Sequence, residues 1–388
     1  HQQAKDLLAD PQHIPLIVSI DPFINETSAY ADYIVPDTVL YETWGATKPW
    51  GAWLTRITSA RWPVVEPPQA TTPAGDPISM ESFLIELAKE LNLPGFGDDA
   101  IADADGNLYP LHHPEDYFLR AFANTAFDGE PVPEASEDDM RYTNVERLSD
   151  MLQRTLRPDE WRRVAYILAR GGRFEPGDKA YDGDFLAWRY AKPMQVYDER
   201  PATTRNSMTG ERFSGVPCWV EPQFMDGTLI RELYPAGEYP FLAVSTKSQL
   251  QSPHSIGAGK LDSIQPANTI NLNVDDGATI GLSTGDLIRV ISPNGTVEGV
   301  ASLQHGIQRG VLGIEHGFGH WALGAQAVEV GNEKWHASGI RGAGVAINLL
   351  GLRDVSRQGV STAADIVCGA NARQGIPVRI ERLGAVNV

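Results

Sequence analysis

Cysteine, basic side chains and long apolar runs are all scarce in this sequence of 388 residues. Its two cysteines, Cys218 and Cys368, form no CxxC pair, so a zinc or iron–sulfur site built by this chain alone is not expected. We predict that each is a buried free thiol. Asp and Glu number 50 against 32 Lys and Arg, for a formal net charge of −18. This excess of acid argues against nucleic acid or an anionic membrane surface as a partner.

No apolar run approaches the roughly 20 residues that cross a bilayer, so direct membrane insertion is not expected. The opening HQQAKDLLADPQHIPL shows neither the basic nor the apolar region of a secretory signal. The composition, with 42% hydrophobic and 21% charged residues, is typical of a soluble globular protein of two or three units. The pattern along the chain predicts three parts, with boundaries near residues 110 and 235.

The first part is predicted to be α/β. The run IPLIVSI (14–20) predicts a strand buried on both faces, which ends at Asp21. Asn25 is a candidate N-cap with Glu26 in the first helical turn, and a second strand is expected at 33–35. A strand, a turn carrying Asp and a helix form the usual ligand-binding edge of a parallel sheet. Asp21 as a simple turn cap is the alternative, and the pattern alone favours it.

Two helices stand out. Residues 81–91 are predicted to form a helix that buries Phe83, Leu84, Leu87 and Leu91 on one face. The second part, 111–235, is rich in Pro, Gly and charge, and it is predicted to be an irregular connection with one clear helix at 159–172. In that helix Trp161, Val164, Ala165 and Leu168 are expected to face inward.

The third part changes to β structure. Six strand-like runs follow one another, at 239–246, 269–273, 286–292, 296–303, 311–315 and 377–382. A turn at Pro293-Asn294-Gly295 joins two of them as a hairpin, and a short helix lies between the second and third runs. Six strands arranged in this way predict a small closed barrel without open sheet edges.

Motifs of the third part occur in a fixed order. HS (254–255), NVDDGATIGLSTGDLIRVISPNG (273–295) and GFGH (317–320) resemble the C-terminal molybdopterin-dinucleotide-binding barrel of the dimethyl sulfoxide reductase superfamily. DPFINETSAYADYIVPDT (21–38) resembles the strand–turn–helix segment that precedes this barrel. The resemblance implies an incomplete α/β nucleotide-binding unit (1–110) followed by a six-stranded double-psi β-barrel (236–388).

Four further segments are similar to the tetrathionate reductase catalytic-subunit family. They are ETWGATKPWGAW (42–53), RWPVVEP (61–67), LNLPGFGD (91–98) and RGGRFE (170–175). The resemblance implies a molybdenum bis(molybdopterin guanine dinucleotide) cofactor, reduction of tetrathionate to thiosulfate in anaerobic respiration, and export to the periplasm. It also implies two partners, which are an iron–sulfur electron-transfer subunit that passes electrons and a membrane-anchor subunit.

The family also carries an N-terminal Cys cluster for an iron–sulfur cluster and a loop that ligates molybdenum, and neither motif occurs here. We therefore expect the chain to be the C-terminal part of a larger subunit, inactive and without bound cofactor by itself. A respiratory arsenate reductase of the same clade is the alternative enzyme. A stand-alone module that binds the pterin without catalysis is the alternative outside enzymes.

Candidate cofactor residues follow the first barrel strand. Ser245, Thr246 and Lys247 end that strand, where a hydroxyl, backbone N–H groups and an ammonium can meet a phosphate. His254 and Ser255 offer two more donors in the same loop.

Asn273 and Asp276 bracket the short helix. A carboxylate at 276 could accept from both the ring N–H and the exocyclic amine of guanine, so we predict Asp276 as the guanine reader. The alternative is structural, with Asn273 as an N-cap and Asp276 as a first-turn acid.

His316 and His320 have the i, i+4 spacing of a helical metal pair. Gly317 and Gly319 disfavour a helix there, so no metal site is predicted. A glycine loop can press its backbone against a flat polar ring, and the family carries a similar loop near the pterin. Gly317 and His320 are therefore assigned to the cofactor and His316 to structure.

Asn348 matches a position where the family places an Asn against the pterin. Arg373 lies where some members place a basic residue, and an ordinary surface arginine is the equal alternative.

Overall fold

The structure is a computed structural model. It describes residues 2–47, 55–68, 70–103, 105–187, 196–251, 259–322, 325, 327–330, 332–336, 340–359, 361–366 and 369–385.

In chain order the helices are α1 (Gln2–Leu8), α2 (Met80–Glu90), α3 (Pro114–Ala126), α4 (Glu137–Tyr142), α5 (Ser149–Thr155), α6 (Trp161–Arg170), α7 (Glu199–Thr203), α8 (Ile230–Leu233), α9 (Gly259–Ile264) and α10 (Val274–Thr279). The strands are β1 (Val18–Asp21), β2 (Tyr33–Pro36), β3 (Gly45–Thr47), β4 (Ile57–Arg61), β5 (Gly97–Ala102), β6 (Leu108–Leu111), β7 (Gly172–Phe174), β8 (Tyr181–Asp182), β9 (Phe185–Leu186), β10 (Phe241–Thr246), β11 (Ile270–Asn273), β12 (Asp286–Ile291), β13 (Thr296–Gln304), β14 (Val311–Glu315), β15 (Val328–Val330), β16 (Glu333–Trp335) and β17 (Gln374–Ala385). Short 3₁₀ turns occur at Ser28–Tyr30, Val145–Leu148, Gly177–Ala180 and Ile347–Leu350.

The chain divides into two compact units. The barrel unit comprises residues 1–17, 23–30 and 194–388, and the helical unit comprises 18–22 and 31–193. Among the helices of the described segments, none has both the length and the apolar character of a membrane span.

The barrel unit is built around a closed six-stranded sheet in the order β10-β14-β11-β13-β12-β17. The pairs β10–β14 and β11–β13 are parallel and the others are antiparallel, with β17 pairing back to β10. All six predicted strand runs form barrel strands, the predicted turn joins β12 to β13, and α10 lies between β11 and β12. The predicted six-stranded barrel is therefore confirmed.

Alternation along the strands explains the barrel core. In β11 and β12 every second side chain is buried, so one face of each strand points inward and the other outward. The fully buried inward side chains include Ile270, Leu272, Ile288, Leu312 and Ile314. Burying one such side chain stabilises the fold by roughly 1.5–3 kcal/mol.

The helical unit packs α3 to α6 around a second core that contains Leu119, Phe122, Leu152 and Ile167. The predicted helix at 159–172 is observed as α6, and Gly171 ends it in the left-handed region with φ 70°. The prediction of one clear helix in 111–235 is wrong, because α3, α4 and α5 also lie there.

Two predictions of buried faces are wrong. The strand expected at 14–20 is the shorter β1, whose one partner among the described strands is β2, and Val18 is exposed. In α2 the buried residues are Ser82, Ile85 and Ala88, whereas the predicted Leu84 and Leu87 are 47% and 42% exposed. The small side chains of Ser82 and Ala88 let the rest of the unit approach the helix on that face.

The expectation of a buried thiol is also wrong for Cys218, which is exposed and lines a cavity of about 530 Å³ in the barrel unit. It lies in an irregular segment rather than in a packed strand, so its side chain has no sheet partner to pack against in the described residues. Cys368 lies outside those residues.

Candidate functional site

The carboxyl ends of two parallel strands meet at one end of the barrel. Thr246, the last residue of β10, is in register with Glu315, the last residue of β14. The pairing continues one step further, since the His316 N–H donates to the Thr246 carbonyl at 3.0 Å. This end of the barrel is called the Thr246 edge below. It brings the predicted residues that follow β10 beside the GFGH loop that follows β14.

The predicted polar residues at the end of β10 differ in their exposure and in their hydrogen bonds. Thr246 and Lys247 are exposed, so their hydroxyl and ammonium groups can reach a ligand. Ser245 is partly buried, and both its backbone groups and its hydroxyl are bonded to the amide of Gln374. That amide fastens the start of β17 to β10 and closes the barrel at the edge.

The GFGH segment is a loop, as predicted, and not a helix. Gly317 and Gly319 adopt positive φ of 97° and 67°, a conformation that favours glycine. A Cβ at Gly319 would lie 2.6 Å from the Ala346 backbone nitrogen, so this position requires glycine. The His316–His320 pair therefore lacks the helical geometry of a metal pair.

One carboxylate holds the C-terminal side of this loop. An oxygen of Glu26 lies 2.8 Å from His320 Nδ1, and it also accepts from the backbone N–H groups of Trp321 and Ala322 at 3.2 and 3.3 Å. His320 Nε2 lies 3.3 Å from the Gly317 carbonyl. Both ring nitrogens of His320, a residue predicted to contact the cofactor, therefore face acceptors within the protein.

Electrostatics support this contact. Burial raises the pKa of the Glu26 carboxyl, but the hydrogen bond and the charge of His320 act against burial and leave the pKa below its ordinary value. The carboxylate is therefore ionised at neutral pH and accepts all three hydrogen bonds.

A buried amide braces the same edge. Asn268 donates to the carbonyls of Glu315 and Val345 at 2.6 and 3.0 Å, and its side-chain oxygen accepts from the Val345 N–H at 2.7 Å. The Glu315 carboxylate accepts from the amide of Gln265 at 2.6 Å. These bonds fix the end of β14 from which the glycine loop departs.

Two buried polar atoms near this edge have no hydrogen-bond partner among the described residues. Gln251 is 2% exposed and donates to Asp262 at 2.9 Å, which leaves its Oε1 atom without a donor there. The indole Nε1 of Trp321 is buried and lacks an acceptor within the same part of the chain. Unpaired buried polar atoms are costly and uncommon, so an acceptor and a donor here suit a polar ligand with both kinds of group. The residues present therefore fit a pterin dinucleotide.

Asn273 and Asp276 lie at the other end of β14, because β11 runs antiparallel to it. Asn273 caps α10 by accepting from the Asp275 N–H at 2.8 Å, and it donates to the Ile307 carbonyl at 2.7 Å. The Asp276 carboxylate accepts from the Gly310 N–H at 2.6 Å and from Arg309 at 3.3 Å. The structure thus shows the structural roles named as the alternative, and the guanine assignment of Asp276 stays a prediction.

The remaining candidates are dispersed. His254 and Ser255 lie outside the described residues. Asn348 is exposed in a 3₁₀ turn that packs on the β12–β13 hairpin, and Arg373 is exposed just before β17. Asp21 is the last residue of β1 in the helical unit, where it pairs in register with Pro36.

Sequence reasoning missed the roles of Glu26 and Gln251. Glu26 was interpreted as a first-turn acid, and its partner His320 is 294 positions away. Gln251 carried no motif of its own. Only its place three residues before the HS pair could have drawn attention to it.

One side-chain group in the helical unit has metal-ligand chemistry. Ligand atoms of Asp76, His113 and Glu115 lie within 4.8 Å of one another. His113 Nδ1 is 3.0 Å from both oxygens of Asp76, so this pair is explained by its own hydrogen bonds.

Comparison with known proteins agrees with this geometry. Residues 242–362 match the family model described as the molydopterin dinucleotide binding domain. The matched range includes the Thr246 edge, Gln251 and the glycine loop.

Similar chains extend the comparison. The chain is 44% identical over 381 residues to a tetrathionate reductase subunit from Salmonella typhimurium, covering 98% of this chain and 37% of that protein. It is 33% identical to a tetrathionate reductase subunit from Archaeoglobus fulgidus (82% and 30%) and 30% identical to a selenate reductase subunit from Mesobacillus selenatarsenatis (99% and 38%). Among solved structures, acetylene hydratase from Pelobacter acetylenicus matches with a TM-score of 0.48 at 17% identity, over 94% of this chain and 40% of that one.

The chain thus spans less than two fifths of the length of each of these reductase relatives. Within that span the barrel, its dinucleotide-binding domain and the similarity to molybdopterin reductases agree. The chain belongs to the molybdopterin oxidoreductases of the dimethyl sulfoxide reductase superfamily.

Proposed function

We propose that this chain is part of the catalytic subunit of a molybdenum oxidoreductase that reduces tetrathionate to thiosulfate. The observation that carries the proposal is the 44% identity to a tetrathionate reductase subunit over 98% of the chain. The identity to a selenate reductase subunit is 30%, and to an arsenate respiratory reductase subunit it is 23%. The similarity therefore favours tetrathionate over the two oxyanions.

The barrel's part in this reaction is to hold the molybdopterin dinucleotide. Lys247 offers a positive charge to a phosphate, the exposed Thr246 offers a hydroxyl, and the glycine loop offers backbone close to a flat ring. The bound cofactor supplies the two-electron chemistry, in which tetrathionate takes up two electrons, its central S–S bond breaks and two thiosulfates leave. The barrel residues bind and orient the cofactor for that reaction.

The proposal includes a larger subunit. The relatives are more than twice as long as this chain, and α2 presents an apolar stripe of Met80, Leu84, Leu87 and Leu91 to solvent. An exposed stripe at helical spacing suits packing against a further part of the same subunit. We assign to the complete protein an iron–sulfur cluster, an iron–sulfur partner subunit, a membrane-anchor subunit, a periplasmic location and a role in anaerobic respiration.

The test uses the complete subunit with its partners. Oxidation of a reduced viologen dye is followed with tetrathionate, selenate or arsenate as the electron acceptor. Turnover with tetrathionate at a kcat/KM at least tenfold above the other two acceptors is the expected result. A preference for selenate or arsenate would replace the proposed substrate while leaving the enzyme class intact.

A second measurement addresses the isolated chain. A dinucleotide loses much translational and rotational freedom on binding, and only enclosure of most of its surface offsets that cost. We expect the 388-residue chain alone to hold no stoichiometric molybdenum, measured by elemental analysis. A stoichiometric metal content would favour the stand-alone binding module.

A further inference from the structure

The geometry points to Glu26 as the positioning residue of the cofactor loop. In this role the Glu26 carboxylate binds His320 and the backbone N–H groups of Trp321 and Ala322, an arrangement called the clasp below. His320 then serves cofactor binding by anchoring the loop and does not bind the cofactor directly. The inference rests on the proposed function, since it concerns how the same barrel end retains a pterin dinucleotide.

The first support is the convergence of three donors on one oxygen. His320, Trp321 and Ala322 are consecutive, and a side-chain N–H and two backbone N–H groups all point at Glu26 Oε1 within 3.3 Å. Carboxylates bound in this way make hydrogen bonds about twice as strong as neutral pairs. No element of regular structure covers residues 316–322, all of which are described. Backbone bonds hold His316 and Gly319, and the Glu26 carboxylate holds the three residues that follow Gly319.

The second support is the surroundings of the His320 ring. Nδ1 lies 2.8 Å from a Glu26 carboxylate oxygen, and Nε2 lies 3.3 Å from the Gly317 carbonyl oxygen. Both ring nitrogens therefore face acceptors within the protein, and this placement assigns the ring to holding the loop.

The third support comes from the side chains around the clasp. Tyr30 meets the Trp321 ring edge-on, with centroids 5.6 Å apart, and Lys5 of α1 lies 4.4 Å from the centroid of that ring. Tyr30 belongs to the same 23–30 segment as Glu26, so this segment contacts the loop at three consecutive residues, His320 to Ala322. The charged side chains that meet this part of the loop include Glu26 and Lys5.

A double-mutant cycle in the holoenzyme separates an anchor from a ligand. The variants are Glu26→Ala, His320→Ala and the pair together, and the readout is the rate at which GMP-containing dinucleotide and molybdenum leave the protein. We expect Glu26→Ala to speed release roughly tenfold to a hundredfold. The double variant should release no faster than Glu26→Ala. Release in the double variant that equals the product of the two single effects would overturn the anchor role.

Two further variants distinguish the clasp from general stability. Glu26→Gln keeps an oxygen acceptor without the charge, so it should retain the cofactor better than Glu26→Ala and worse than wild type. Glu333→Gln, at an exposed glutamate of β16, is the control and should match wild type. If Glu26→Ala lowers the melting temperature of the cofactor-free protein as much as that of the holoenzyme, the residue supports the fold alone and the proposal fails.

Failure of the clasp and failure of the proposed function give different results. A wild-type holoenzyme that contains no pterin dinucleotide would refute the proposed function. Wild type with cofactor, together with variants that retain it equally well, would refute only the clasp.

Discussion

The carboxylate of Asp276 and the backbone N–H of Gly310 are joined by a hydrogen bond of 2.6 Å that ties α10 to the turn before β14. Asp276→Ala should therefore lower the stability of the barrel, because the partly buried N–H of Gly310 loses a hydrogen bond to a charged acceptor, which is worth about 1.5–3 kcal/mol. The measurement is the melting temperature, which should fall by several degrees. If Asp276 instead binds guanine, Asp276→Ala should lose cofactor while the barrel keeps its melting temperature.

The neighbouring Asp275 supplies the matched control. Its side chain is exposed in the same helical turn, so Asp275→Ala removes the same charge near the same helix start. We expect a change within about 0.3–1 kcal/mol, which is the usual contribution of a first-turn acid. Equal losses in both variants would show that the helix dipole, and not the bond to Gly310, carries the effect.

Gly319→Ala should disrupt the glycine loop. The added methyl group would meet the Ala346 nitrogen at 2.6 Å in a backbone conformation that disfavours side chains. We expect a clear loss of cofactor from the holoenzyme, measured as molybdenum per protein. Gly306→Ala is the control, since its Cβ would meet no atom of the described residues within 4 Å.

Gln251→Met tests the unpaired amide oxygen. The substitution replaces a buried amide by an apolar side chain of similar size and also removes the bond to Asp262, which keeps its ion pair with Arg341, so we expect a stability loss of only about 1–2 kcal/mol. If the unpaired oxygen meets a donor of the cofactor, the variant should release the dinucleotide faster than this small loss of stability explains. Unchanged retention would show that the unpaired atom has no ligand.

Breaking the buried ion pair of Arg120 and Glu160 should destabilise the helical unit. The two side chains are 7% and 4% exposed and lie 2.6 Å apart. Glu160→Leu strands a buried guanidinium, so we expect a loss of about 3–5 kcal/mol in urea unfolding. The double change Arg120→Met with Glu160→Leu should cost less than the single change, because the buried guanidinium is removed together with its partner. Glu160 also pairs with the more exposed Arg157, which keeps Asp103 and Asp159 in both variants.

The His113–Asp76 pair should stabilise the helical unit at low pH, and this contribution should be lost at alkaline pH. Burial lowers the pKa of His113, but the hydrogen bond and charge of Asp76 outweigh burial and raise it above its usual value. A raised pKa stabilises the fold fully below about 6.5, and that contribution is lost as the pH rises through the higher pKa of the folded state. The melting temperature of wild type should therefore fall more than that of His113→Asn between about pH 6 and about pH 9. His112→Asn is the matched control.

Local sequence patterns predicted the barrel well because the signal for each strand lies within that strand or in the adjoining turn. Alternation in β11 and β12 and the hairpin turn at 293–295 are visible within a few residues. The buried face of α2 could not be read in this way. Its leucines formed the stronger apolar stripe, and only the tertiary fold decides that the face with Ser82 and Ala88 packs inward.

The site was predictable only where neighbours in sequence stay neighbours in space. Thr246, Lys247 and the GFGH loop were predictable because each lies at or just after the end of a strand. Asn273 also ends a strand, yet the antiparallel direction of β11 against β14 puts it at the other end of the barrel. Strand direction and the long-range contact from Glu26 to His320 depend on the whole fold, which no local pattern contains.

The non-local pairing of β10 has a consequence for biosynthesis. Its two neighbours in the barrel, β14 and β17, are synthesised 65 or more residues after it. Both edges of β10 therefore remain unpaired in the nascent chain until those strands emerge. Non-local pairing of this kind is slow to form. The Thr246 edge, where β10 ends beside β14, therefore cannot form until the ribosome has passed β14, and a nascent chain stalled before that point would present an aggregation-prone strand.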